Sequence, residues 1–338
     1  MSNPTITDIA KKCGVSVSTV SRILSRKTGF VVSEATRLKV IDVAEELDYR
    51  PNAAARALVK GRTNMVAFLG GEGLGSQLYG QLLKTARNRF GEHGFDMVFA
   101  KANCERTLPV DGIVAFNNPV WVDEYVRSGR LGDTALVAFG SAYALPGWDF
   151  DSVGISLELA VNDAMQQLIN NSRKRIVLMH AGECPPESDL SQTRHIEYCA
   201  MIRSAGMEPR CVHIDSSTRP DARKGIADLL TSGFVPDGIL CMDDEIAIGA
   251  LTALRDAGLR VPENVAVIGC DGIEDTLYTT PKISTIVQPL DEACALAADF
   301  LRNRIEHDEY PVQRVVLDAK YESRESTLNS VRPEPAEG

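Results

Sequence analysis

The residues best able to do chemistry begin with Val17-Ser18-Thr19-Val20-Ser21-Arg22-Ile23-Leu24. At helical spacing Val20, Ile23 and Leu24 share one face, which leaves Val17, Ser18, Ser21 and Arg22 on the other. Short side chains let a helix approach a duplex, and a guanidinium can donate to a base edge in the major groove. A second set, Gly70-Gly71-Glu72-Gly73-Leu74-Gly75, follows an apolar run and invites a phosphate loop. It departs from the dinucleotide template, because Ser76 stands where the third glycine belongs, and no GxxxxGK[ST] occurs anywhere. The stretch reads equally as backbone amides facing a cleft or as a turn.

The eight cysteines (Cys13, Cys104, Cys184, Cys199, Cys211, Cys241, Cys270, Cys294) contain no CxxC pair and have no His at a metal-ligand spacing. Neither a zinc site nor a disulfide framework is expected, and the thiols read as small core fillers. The five histidines have no acid or nucleophile partner in sequence, and no GxSxG elbow appears. The chain is therefore not read as an enzyme, and no catalytic residue, cofactor or metal is expected. A binding protein for a small solute is the alternative from another class; it would need no DNA-reading head.

The elements that must position these residues follow from patterning. At 338 residues and 44% apolar content the chain exceeds what one core usually serves. Residues 1–62 hold 11 Lys+Arg against 6 Asp+Glu, while the remainder holds 25 against 40, so the net charge of −10 hides a basic head. Such a head can sit on phosphates while the acidic remainder is repelled. Ile6, Ile9, Ala10 and Cys13 recur at helical spacing behind a hydroxyl cap candidate at Thr7. Gly14 can end that helix, Val15 can plug a core, and Ser16 can cap the helix that carries Arg22. Two helices joined by about four residues make a helix-turn-helix. A third helix is expected from Ser33 to about Leu47, with Val40, Ile41, Ala44 and Leu47 as its buried stripe.

Beyond residue 62 apolar strand-like runs alternate with helix-length segments. Met65 to Leu69, Phe95 to Ala100, Gly112 to Phe116, Ala135 to Phe139, Arg175 to Met179, Cys211 to Ile214, Gly238 to Met242 and Val265 to Cys270 predict strands of a doubly wound α/β plan. Helices are predicted near Gln77 to Phe90 and Leu290 to Ile305. Only about ten residues separate the second and third strands, fewer than a parallel crossover normally needs, so a helix is expected to be missing or reduced there. With no N-terminal apolar segment and no run of membrane-spanning length, no membrane partner is expected, and a reduced cytoplasm is the expected location.

Asp8-Ile9-Ala10, Gly14-Val15-Ser16, Thr19-Val20-Ser21-Arg22, Tyr49-x-Pro51-Asn52 and Ala55-Arg56-x-Leu58, in this order, resemble the headpiece of the LacI family of bacterial regulators. The resemblance runs more loosely to a closing Arg324-Glu325-Ser326-Thr327. It implies an all-α helix-turn-helix headpiece plus an α/β two-lobed core that is periplasmic-binding-protein-like, with doubly wound parallel sheets. The implied organisation is a headpiece at 1–50, a hinge at 51–61, a core N-terminal lobe at 62–155 and 289–316, a C-terminal lobe at 156–288 and 317–328, and a flexible tail at 329–338. The chain is then expected to be a sequence-specific transcriptional repressor, a homodimer on double-stranded operator DNA, controlled by a small sugar-like or otherwise polar effector.

The DNA-contacting set that the resemblance implies is Thr5, Ser16, Val17, Ser18, Thr19, Ser21, Arg22, Asn52, Ala55 and Leu58, with Leu58 as a minor-groove wedge on a hinge helix that forms on DNA. In the core, Arg194-His195-Ile196-Glu197-Tyr198, Met242-Asp243-Asp244 and Ile268-Gly269-Cys270-Asp271 resemble the family's cleft segments. They imply effector contacts from Arg194, Asp243 and Asp271, a donor fork and carboxylate acceptors suited to a polar ligand. Leu74, Ser156 and Ser216 complete the candidate set. The sequence also departs from the family: Asp243 stands where Asn is frequent, Ser156-Leu157 where Asp-Asn is frequent, and Ser216 near a usual stacking aromatic. A ligand rich in donors and without a broad flat face is expected. The tail carries no leucine heptad that would make a tetramerising coiled coil.

Overall fold

The structure is a computed structural model that describes residues 4–24, 31–49, 57, 61–70, 76–101, 109–117, 119–129, 131–132, 134–143, 149–186, 189, 192–307 and 309–328. Two compact units meet between Thr63 and Asn64.

The first unit holds α1 (Ile6–Cys13), α2 (Val17–Leu24) and α3 (Glu34–Glu46) around Ile9, Ala10, Cys13, Val20, Ile23, Val40, Val43 and Ala44. The cap of α1 lies at Thr5, two residues before the expected Thr7: the Asp8 carboxylate accepts from the Thr5 amide at 2.8 Å and from its hydroxyl at 2.7 Å. An acid at the third helical position reaches back to the residue just outside the helix, which places the boundary. Gly14 ends α1 with φ 71°, as its lack of a side chain permits. Ser33 caps α3 through the Thr36 amide at 3.2 Å. On α3 the stripe is Val40, Val43 and Ala44, whereas Ile41, expected inside, is 37% exposed. Ile41 lies about 100° around the helix from Val40 and so leaves the face that Val43 keeps.

The second unit contains two six-stranded sheets. The first is built from β1 (Met65–Gly70), α4 (Gln77–Glu92), β2 (Asp96–Lys101), β3 (Gly112–Phe116), α5 (Pro119–Arg127), β4 (Ala135–Gly140) and β5 (Asp151–Ser156). The second follows with α6 (Glu158–Asn170), β6 (Ile176–Ala181), α7 (Thr193–Ser204), β7 (Cys211–Ile214), α8 (Arg219–Thr231), β8 (Gly238–Cys241), α9 (Asp244–Asp256), β9 (Ala266–Asp271) and β10 (Ser284–Val287). The chain then returns through α10 (Leu290–Glu306) and β11 (Arg314–Asp318) to the first sheet, and ends with β12 (Lys320–Glu322) in the second. The strand orders are β11-β5-β4-β3-β1-β2 and β12-β10-β9-β8-β6-β7. All described pairings are parallel except β12 with β10, which is antiparallel and modifies the expected all-parallel plan.

The central strands β3, β4 and β9 bury completely because helices cover both faces. Helix α10 packs on β4, β5 and α4, and it can close on the sheet because Gly112 has no side chain: a Cβ there would meet Leu301 at 2.9 Å. Four strands, β5, β10, β11 and β12, were absent from the sequence expectation. β5 mixes Asp151 and Ser152 with its apolar residues, and β11 and β12 alternate between exposed and half-buried positions. The expected loss of a helix between β2 and β3 falls on residues 102–108, outside the described residues, as do most of the hinge and the tail. No helix among the described residues is long and apolar enough to cross a membrane.

Candidate nucleic-acid and effector sites

On the first unit, the Ser16 hydroxyl accepts from the Thr19 amide at 3.1 Å and lies 2.8 Å from the hydroxyls of both Ser18 and Thr19. This cap fixes the start of α2 and leaves Thr5, Ser16, Val17, Ser18, Ser21 and Arg22 exposed, with Thr19 half-buried. Val20 and Ile23 are buried on the opposite face. The helix therefore presents short polar side chains and one guanidinium outward. Asn52, Ala55 and Leu58 lie outside the described residues.

In the second unit the carboxyl ends of the strands open onto a cleft of about 1000 Å³. Open parallel sheets bind ligands at this end, where strands give way to helix starts. Arg194 lies in the first turn of α7, its Nη1 donating to the Met242 carbonyl and approaching Cys270 Sγ at 3.6 Å. Burial opposes the charge of this guanidinium, but Cys270, Asp271 and Asp243 outweigh it and hold the pKa above the ordinary value. No ion pair within 4.0 Å joins Arg194 to a carboxylate among the described residues.

Asp271 ends β9 with φ 119°, a left-handed conformation that a non-glycine residue adopts only under constraint. Gln288 Nε2 donates to its Oδ1 at 2.8 Å, and burial pushes the carboxyl well above the usual range. The Gln288 Oε1 is buried and has no hydrogen-bond partner among the described residues, leaving an acceptor open beside Asp271 in the cleft lining. Asp243 lines the cleft too, but its Oδ1 accepts from the Ile246 amide at 2.8 Å and caps α9, so one of its oxygens is committed to structure. Its pKa is raised, chiefly by burial. The adjacent Asp244 is the more deeply buried: it accepts from the Thr285 hydroxyl at 2.6 Å and the Ile273 amide at 2.8 Å, and burial pushes it up to about 7.

The cleft thus brings together Arg194, Asp243, Asp271 and Ser216, whose hydroxyl donates to Asp221. Ser156 is not in the lining: it sits where the chain leaves the first sheet, its carbonyl accepting from the Ala319 amide at 2.9 Å. Leu74 lies outside the described residues. Aromatic residues not singled out from the sequence also line the cleft: Tyr79 and Phe116 of the first lobe, packed edge to face with centroids 5.5 Å apart. Their signal was position: Phe116 ends a predicted strand and Tyr79 lies in the first turn of a predicted helix. Across the cleft Gln77 Nε2 donates to Asp275 Oδ1 at 2.9 Å, and Asp275 is paired with Arg219 at 2.6 Å. Cysteines scattered in the sequence come together at one place, where Cys184 and Cys211 meet His195 of α7.

A small three-helix unit with a polar recognition-type helix, followed by a two-sheet core with a polar cleft, defines a ligand-responsive DNA-binding protein. Residues 5–52 match the model of bacterial regulatory proteins of the lacI family, and residues 165–327 match the periplasmic binding protein-like domain. The HTH-type transcriptional regulator RegA of Clostridium saccharobutylicum is 27% identical over 96% of this chain and 99% of its own length. The ribose operon repressor of Escherichia coli K12 is 28% identical over 93% and 96%. Among solved structures, the lac repressor dimer bound to operator and the anti-inducer ONPF aligns with a TM-score of 0.77 at 20% identity, covering 97% of this chain and all of that one. The transcriptional regulator CelR in complex with cellobiose aligns with a TM-score of 0.63 at 25% identity, covering 96% and 99%. The chain carries a lacI-family DNA-binding domain and a periplasmic-binding-protein-like core, as its LacI-family relatives do, and it is a transcriptional regulator with an effector-binding core.

Proposed function

We propose that this regulator is a repressor that binds a near-palindromic operator as a homodimer, reads bases with Arg22, and responds to a small polar effector held between its lobes. The carrying observation is the outer face of α2, where Val17, Ser18, Ser21 and Arg22 are exposed over a packed three-helix core. A helix of that composition fits the major groove, and the basic head supplies phosphate attraction. Asn52, Ala55 and Leu58 are assigned to a hinge that folds on the operator and wedges the minor groove. In the core, Arg194, Asp271 and the open acceptor of Gln288 favour a ligand that carries both acceptors and donors, such as a polyol. Tyr79 and Phe116 give it an apolar surface to lie against. Coupling requires the effector to prefer one lobe arrangement, typically by about 1–3 kcal/mol.

The test is selection of operator sequences from random duplexes by the full chain, followed by a fluorescence-anisotropy titration of the selected site. Arg22→Ala should weaken binding by about 1–3 kcal/mol and relax preference at one base pair in each half-site. Unchanged affinity and unchanged preference would remove Arg22 from base readout.

A further inference from the structure

A cluster of soft ligands lies behind the cleft wall, unused by the effector site. Cys184 is in the segment that follows β6, His195 in the first turn of α7, and Cys211 opens β7. Their ligand atoms all lie within 4.8 Å of one another. Cys184 Sγ is 2.6 Å from Cys211 Sγ and 3.3 Å from His195 Nε2. Cys199, one turn along α7, places its Sγ 3.4 Å from the same Nε2. His195 and Cys199 share a helix face because they are four residues apart, and both are buried. All four belong to the second lobe, and the three thiols are reduced.

We propose that Cys184, His195 and Cys211 bind a thiophilic divalent cation of the zinc class, with a fourth position left to water.

Two thiolates and one imidazole form a zinc donor set that keeps a fourth position for water, and this mixture disfavours magnesium or calcium. The separations of sulfur from Nε2 match ligands that share a tetrahedral ion, for which Zn–S is about 2.3 Å and Zn–N about 2.0–2.1 Å. The Cys184–Cys211 pair must open by about 1 Å to flank such an ion. Cys184 can supply that movement, since it lies in a connecting segment and is only half-buried. Binding releases a proton from each ligating thiol, the thiolates donating their electron pairs to the cation with no change in oxidation state. The consequence reaches the effector site through the chain. His195 follows Arg194, and the segment that carries Cys184 starts at Gly182 in the cleft lining, so an ion here would tie the cleft arginine to the β6 end.

Metal-free, reduced full-length protein should be titrated with Co²⁺. The expected result is one ion per chain, a thiolate-to-cobalt charge-transfer band with tetrahedral d–d bands, and displacement by Zn²⁺. Cys184→Ser and Cys211→Ser should each weaken binding by more than the ten- to hundredfold typical of losing an outer-shell partner, while Cys294→Ala should leave it unchanged. X-ray absorption of the zinc-loaded parent, which depends on no variant, should give a mixed sulfur and nitrogen shell. A shell of oxygen and nitrogen alone, a spectrum indifferent to both serine variants, or a Cys184–Cys211 disulfide that takes up no metal once reduced would each overturn the assignment.

Discussion

In the first lobe a fully buried carboxylate, Asp151, is gripped by Arg304 through two contacts of 3.0 Å and by the Gln313 amide at 2.7 Å. In the second lobe Asp244 is equally buried but is met by uncharged donors, and burial pushes its pKa up to about 7. The two sheets repeat one strand order, so topology does not explain the difference. Position does. Asp151 opens β5, far from the cleft end of its strand, and ties α10 to the sheet; Asp244 opens α9 at the cleft end, beside Asp243, Asp271 and Arg194. The first lobe spends its buried charge on assembly. The second keeps a poorly compensated group of carboxylates where a ligand's donors would relieve them.

The largest effect that could break this contrast is at Arg304. Arg304→Met should cost about 3–5 kcal/mol in urea unfolding followed by tryptophan fluorescence, because it strands a buried carboxylate. Adding Asp151→Asn should recover part of the loss, and a single-variant cost below about 1 kcal/mol would place the pair among surface ion pairs.

The next concerns Asp244. Its folded-state pKa is raised above the unfolded value of about 3.9, so its contribution is fully present below that pH and is lost as pH climbs towards about 7, at up to about 1.4 kcal/mol per unit. Asp244→Asn removes this titration at the cost of one mismatched hydrogen bond. The parent's stability relative to the variant should therefore fall from pH 5 to pH 7, and a constant difference would show that Asp244 does not titrate in that window.

The smallest effect is at the bridge between the lobes. Gln77→Ala removes the hydrogen bond to Asp275 while Arg219 still holds that carboxylate, so about 1 kcal/mol or less is at stake. Faster amide exchange at the start of α4 and near Thr276, with no change in the headpiece, is the expected readout. Unchanged exchange would mean that the bridge does not bias the lobes.

The helix-turn-helix, Ser16 as a cap and most strand positions were legible in the sequence, because each depends on local periodicity or turn chemistry. Strands β5, β10, β11 and β12 were not legible: their polar or edge positions are stabilised by partners far away in sequence, such as Arg304 for Asp151.

By itself, then, the sequence determined the order of elements, the basic head with its exposed Arg22 face, and the segments that end at the cleft. It could not decide which of two adjacent aspartates turns inward. Asp243 and Asp244 look alike in the chain, and only the packing of α9 against β9 makes one a helix cap at the cleft and the other a buried acceptor for Thr285 and Ile273. Nor could spacing reveal Cys184, His195, Cys199 and Cys211 as neighbours, since the chain must form β6, α7 and β7 before those ligand atoms meet. Local propensity acts within a few residues, whereas burial and ligand geometry are properties of surfaces that exist only after distant segments have packed.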